Sequence, residues 1–136
     1  EEAIGQYKLA LKADPKFAEA RANLGAAYYS MGRIDEAIES FELAAKAGGS
    51  NAYDYYHIGV IQFEQGDYKE ARRHFKKAIS RDSSLAEARF YLGECYLKLN
   101  DRKKAIEAYQ KTLEIDPNYF SARAKLDALE DEAGLQ

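Results

Sequence analysis

Apolar residues recur at three- and four-residue steps along nearly the whole chain, in short runs separated by polar breaks. From Ala18 the segment AEARANLGAAYYSMGRIDEAIESFELAAKA holds two such runs, parted near Gly32. That spacing places the apolar side chains on one face of each of two helices. Slid along itself by 34 residues, the chain matches: AEARFYLGECYLKLNDRKKAIEAYQKTLEI from Ala86 aligns with the first segment two periods on. The stretch from Ala52 lies between them in the same register, and its break falls at Gly66, as that of the third copy falls at Asn100. Glycine and asparagine adopt the left-handed conformation that ends a helix more readily than other residues.

Within each copy, small and large residues keep a fixed order. Gly25, Gly59 and Gly93 share one place in the first helix, and Ala37, Ala71 and Ala105 share one place in the second. Phe41, Phe75 and Tyr109 follow those alanines by four residues. Two antiparallel helices approach closely where small side chains face each other, and a bulky ring fills the gap beside them. A single helix pair cannot bury such a face, whereas stacked pairs can.

This pattern resembles the tetratricopeptide repeat. The first full copy reads Arg21, Leu24, Gly25, Tyr28, Ala37, Phe41; the second Tyr55, Ile58, Gly59, Gln62, Ala71, Phe75; the third Arg89, Leu92, Gly93, Tyr96, Ala105, Tyr109, Pro117. The resemblance implies an all-α, right-handed solenoid of antiparallel helix pairs, with full repeats at 18–51, 52–85 and 86–119. Ala3, Tyr7 and Pro15 make residues 1–17 the second half of a preceding repeat, leaving Tyr7 and Leu11 exposed. Residues 120–136 keep Ala122, Leu126 and Leu129 but carry Asp127 and Glu130 at the glycine and tyrosine places, which suits a polar capping helix. Departures are Arg21 and Arg89 at an aromatic place, Gln62 for tyrosine, and Gly49 and Ser83 for proline; the GGSN segment at 48–51 is the expected joint between repeats.

In such arrays the first helices line a concave groove. Carried over by place, the groove holds Glu19, Ala22, Ala26 and Tyr29, then Tyr53, Tyr56, Val60 and Phe63, then Glu87, Phe90, Glu94 and Leu97, with Asn23 and His57 beside them. Ser121, Ala124 and Ala128 continue it on the last helix. The spacing i, i+3, i+7, i+10 independently sets these residues on one helix face. Apolar at its centre and acidic at its rim, where Glu64 joins Glu19, Glu87 and Glu94, the groove suits a peptide or helix with apolar anchors and some Lys or Arg. The subtype that grips acidic chaperone tails needs basic groove residues, but those places hold Ala22, Ala26, His57, Glu87 and Tyr91.

Composition adds mostly exclusions. The 136 residues are 46% hydrophobic and 32% charged, enough to bury a core, and the net charge of −3 recruits neither nucleic acid nor an acidic membrane surface. No apolar run is long enough for a membrane span. His57 lies three residues after Asp54 but lacks further converging ligands, so it reads as a polar groove residue and no metal or cofactor is expected. His74, among Arg72, Arg73, Lys76, Lys77 and Arg81, reads as solvated outer surface. Cys95 reads as a small buried thiol, and a lone cysteine argues for no oxidising compartment; the cytoplasm is favoured. No catalytic constellation emerges. The sequence points to a non-catalytic scaffold for a protein or peptide partner, with no nucleic acid and no membrane insertion. The alternatives are a self-associating structural protein, through the open N-terminal end, and the targeting arm of a larger enzyme or assembly factor.

Overall fold

The computed structural model describes residues 2–14, 17–48 and 52–134. Among them are eight helices and no strand: α1 (Glu2–Ala13), α2 (Ala18–Ser30), α3 (Ile34–Gly48), α4 (Ala52–Glu64), α5 (Tyr68–Arg81), α6 (Ala86–Lys98), α7 (Arg102–Ile115) and α8 (Phe120–Gly134). The closest associations are within α2–α3, α4–α5 and α6–α7, and these pairs stack through α3–α4 and α5–α6. The fold is an all-α solenoid.

The turn inside each pair follows from its residues. Gly32, Gly66 and Asn100 take φ of 77°, 83° and 62°, the left-handed region in which a Cβ is costly and asparagine is the best tolerated alternative to glycine. Asp67 and Asp101 then cap α5 and α7, accepting from the backbone N–H of Glu70 and Lys104 at 3.4 and 3.2 Å. Between pairs, Asp82 accepts from the Ser84 N–H and Asp116 from the Asn118 N–H, both at 3.0 Å, so the side chain folds the connection. Pro15, and residues 49–51 of the expected GGSN joint, lie outside the described residues.

The core runs along the stack as three clusters, around Phe41 and Ile58, around Phe75 and Cys95, and around Tyr109 and Leu126. Their common element is a ring pressed on a glycine. A Cβ built on Gly25 would lie 3.0 Å from the Phe41 ring; on Gly59, 2.7 Å from Phe75; on Gly93, 2.7 Å from Tyr109. Phe75 and Tyr109 are fully buried, so neither ring can retreat. Ala37, Ala71 and Ala105, also fully buried, let the partner helix approach at the same level.

Two expectations are corrected. Tyr7 and Leu11 are not bare: both pack against the cluster of Leu24 and Tyr28, and the large apolar residue that α1 exposes is Leu9, at 62%. That face of α1 is thus covered by residues of α2 and α3. His74 is not solvated but 2% exposed. Its Nδ1 faces two oxygens, Gln62 Oε1 at 2.7 Å and the Glu70 carbonyl at 3.1 Å, so Nδ1 carries the proton and donates to them. Tyr55 stacks on the other side, ring centroids 6.4 Å apart. Burial holds the imidazole pKa below its usual value. The neighbouring repeats pair Tyr28 with Ser40 and Tyr96 with Ala108 at the same two places, so the departure at Gln62 and the histidine at 74 are one exchange: a smaller residue on α4 makes room for a larger one on α5.

Gly59→Ala is therefore expected to destabilise the fold by roughly 1–3 kcal/mol through overpacking, despite the better helix propensity of alanine, read as a lower denaturant midpoint at unchanged slope. Gln62→Tyr should cost about 1–2 kcal/mol alone and His74→Ser a similar amount, with the double variant recovering most of the loss. Additive losses in that cycle would sink the exchange.

Candidate functional site

The residues assigned to one groove divide into three places. The first is a pocket of about 370 Å³ between α2 and α4, closed from below by Phe41 of α3. Asn23, Tyr29, Tyr53, His57 and Val60 line it with Ala22, Ala26 and Ser30. Two small alanines on α2 leave the room, and Tyr53, 45% exposed, forms its outer wall. The Tyr29 hydroxyl donates to the Glu64 carboxylate, joining α2 to α4 across the pocket mouth, and this carboxylate raises the hydroxyl's pKa. His57 packs its ring against Phe41, Tyr53 and Tyr56 at centroid distances of 5.3, 6.3 and 5.6 Å. Burial of part of the ring keeps its pKa low, so the imidazole is neutral at pH 7.

The second place is an aromatic cluster. Tyr56 and Phe63 are half-buried and meet through Tyr91, which lies 6.0 and 5.7 Å from them, stacks on Phe75 at 5.5 Å and reaches Phe90 at 5.6 Å. Phe90 in turn leans on Tyr109 and Tyr119. Burial raises the Tyr56 hydroxyl's pKa, with a further push from the Tyr91, Tyr119, Glu87 and Tyr53 groups around it. These rings are neither a free strip nor a closed core. Tyr91, the hub, stands one period after His57, and that register was the available signal for it.

The third place lies toward the C-terminal end. Glu94 and Leu97 line a more polar hollow of about 520 Å³ with Lys98, Arg102, Lys125 and Glu132. Glu94 is not a rim acid in the simple sense. It accepts from the Tyr109 hydroxyl at 2.5 Å and meets Lys125 at 3.7 Å. Where the sibling repeats have Phe41 and Phe75, Tyr109 brings a hydroxyl into the core, and a buried hydroxyl requires a partner. Glu19 is exposed at the start of α2, and Glu87 is half-buried near Tyr56 and Tyr119.

One residue of the first pocket stands apart. Asp54 is 2% exposed, whereas the equivalent places one period away hold the buried Ala20 and Ala88. Burial alone pushes its carboxyl pKa up to about 6, with no hydrogen bond or nearby charge opposing. No buried polar side-chain atom among the described residues is sealed without a partner, so the residual exposure of Asp54 lies at its carboxylate, where the pocket opens. Cys95, by contrast, is fully enclosed, and burial raises its thiol to about 12, which leaves it protonated. Among the described residues no group of three or more His, Cys, Asp or Glu could hold a metal ion, and no helix is long and apolar enough to cross a membrane.

The repeat seen in the fold is matched by profiles of tetratricopeptide repeats over residues 17–84 and 62–126, and by a TPR repeat profile over residues 1–32. The chain belongs to the tetratricopeptide repeat family. No functionally curated protein matches it. Among solved structures, that of MamA is 32% identical, with a TM-score of 0.86 over 97% of this chain and 77% of that one. YrrB, described as a TPR protein with an unusual peptide-binding site, is 25% identical, with a TM-score of 0.80 over 98% of this chain and 69% of that one. The first TPR of Spaghetti bound to an HSP90 peptide is 22% identical over 86% of this chain and 95% of that one, with a TM-score of 0.78; the likeness is one of fold. Proteins of this fold generally mediate protein–protein interaction.

The Asp54 carboxyl sets a pH dependence of known sign. Its folded pKa is raised, so the stability linked to it is full below about 4 and is lost as pH rises through about 6. Asp54→Ala should therefore be nearly neutral at pH 4 and stabilising by about 2–3 kcal/mol at pH 7. The variant-minus-wild-type difference in unfolding free energy cancels the opposite contributions of His57 and His74. A difference that stays flat across this range would contradict the raised pKa.

Proposed function

We propose that this chain is a non-catalytic scaffold that holds a peptide or helix along the face formed by α2, α4 and α6. The unit comprises the repeats 18–51, 52–85 and 86–119, flanked by residues 1–17 and 120–136. The observation that carries the reading is the pocket beside Tyr53. An exposed ring, a half-buried aromatic cluster and a hollow of this size adjoin on one face, and rings of that kind supply contact area at low entropic cost. At about 370 Å³ the hollow is near the lower end of ligand pockets, roughly 300–1,000 Å³, so it suits one anchoring side chain of a longer ligand. The ligand is expected to bring apolar anchors to the rings. Its basic residues would meet Glu64 and Glu87, since no Lys or Arg lines the pocket.

The test is a selection of random phage-displayed peptides on the wild-type chain, followed by affinity measurements on variants. Ala26→Tyr fills the pocket from an exposed position and should weaken the selected peptides at least tenfold at unchanged helical circular dichroism. Lys103→Ala, an exposed residue of α7 outside the pocket, should leave them unaffected. Peptides indifferent to Ala26→Tyr, or no enrichment at all, would remove the groove as the binding surface.

A further inference from the structure

We propose that Asp54 makes the pocket between α2 and α4 a receptor for a single Lys or Arg side chain of the groove-bound peptide. The inference rests on the groove reading above and specifies the chemistry of its central anchor. Three observations carry it. First, Asp54 is 2% exposed, no hydrogen bond or ion pair of its carboxylate is seen among the described residues, and it borders the pocket. Second, nothing in the helix requires it. The sibling places are Ala20 and Ala88, both buried, so the solenoid closes at this point without a carboxylate. A place in the first turn of α4 favours an acid, but only by about 0.3–1 kcal/mol, less than an unpaired buried charge costs. Third, the walls are those a long cationic side chain prefers. Tyr53, Phe41 and His57 offer apolar or ring faces to the methylene stem, and ring faces also attract the ammonium or guanidinium.

The charges around the carboxylate agree. On its own helix the pocket holds Tyr53 and the neutral His57; from α2 it holds Tyr29, tied to Glu64, and the uncharged Asn23; from α3 it holds Phe41. None is a cation, so Asp54 meets no internal competitor there. An arriving ammonium would supply the counter-charge, and the pair would form with the carboxylate already desolvated. A buried pair of that kind is lost heavily when one partner is removed.

The experiment repeats the peptide selection on wild type, Asp54→Asn and Asp54→Ala, each checked for unchanged helical circular dichroism. Wild type should enrich peptides with Lys or Arg at one fixed position relative to their apolar anchors. Both variants should keep the apolar anchors and lose that preference. For the best peptide, replacing the basic residue by norleucine should weaken binding to wild type about tenfold or more and leave binding to Asp54→Asn unchanged. Enriched peptides without a fixed basic residue, or with one retained on both variants, would overturn the role of Asp54 while leaving the groove in place. Peptides that fail to bind wild type at all would overturn both. Should Asp54→Asn fail to fold, Asp54→Ala, which restores the residue of the sibling repeats, decides alone.

Discussion

The fold depends on one contact made three times: an aromatic ring of the second helix laid directly on a glycine of the first. Gly59 with Phe75 and Gly93 with Tyr109 leave no room for a methyl group, and Gly25 with Phe41 leaves little. This contact sets how closely each pair approaches. The buried alanines at 37, 71 and 105 let the partner helix come in at the same level, so the same local constraint recurs in each pair. Because every pair touches only its neighbours, the molecule is assembled from these units in one dimension.

Once that spacing is fixed, individual places can vary only in company. Gln62 and His74 exchange volume and polarity with each other where the sibling pairs are tyrosine with serine or alanine. Tyr109 adds a hydroxyl to a phenylalanine place, and Glu94 supplies its acceptor from the facing helix. In each case the departure from the repeat is answered across the helix interface, within the same pair. The period of 34 and its glycines, alanines and rings were legible in the sequence because they are identical by place. These exchanges were not, because each half looks like an ordinary surface residue until the facing helix is known. His74 stood among five basic residues and was read as solvated for that reason.

The candidate site was legible to the same depth. Helical spacing puts Tyr53, Tyr56 and Phe63 on one face, but only tertiary packing separates the exposed Tyr53 from the two rings gathered under Tyr91. Spacing also offered Glu94 as a rim acid, and it cannot show that a tyrosine hydroxyl on the neighbouring helix takes that carboxylate. Spacing presents Asp54 only as a neighbour of His57 without further converging ligands, and so does not mark it as a site residue. The signal lay in the column, not the row: its place is alanine one period before and one period after.

That contrast gives the repeat an internal control that single-copy folds lack. Within one chain, the same backbone position is solved twice by a buried alanine and once by a buried carboxylate. The three solutions share helix register, burial and the stacking of successive pairs, so the difference in side chain is not forced by architecture. A residue that lowers stability at neutral pH and that the fold can do without is expected where binding, rather than packing, has set the choice. A pocket borders this place, and Asp54 is among the residues that line it. The space, the missing counter-charge and the departure from the repeat thus coincide at a single place. The concurrence of three independent features there, rather than the acidity of the surface as a whole, is what singles out this part of the array.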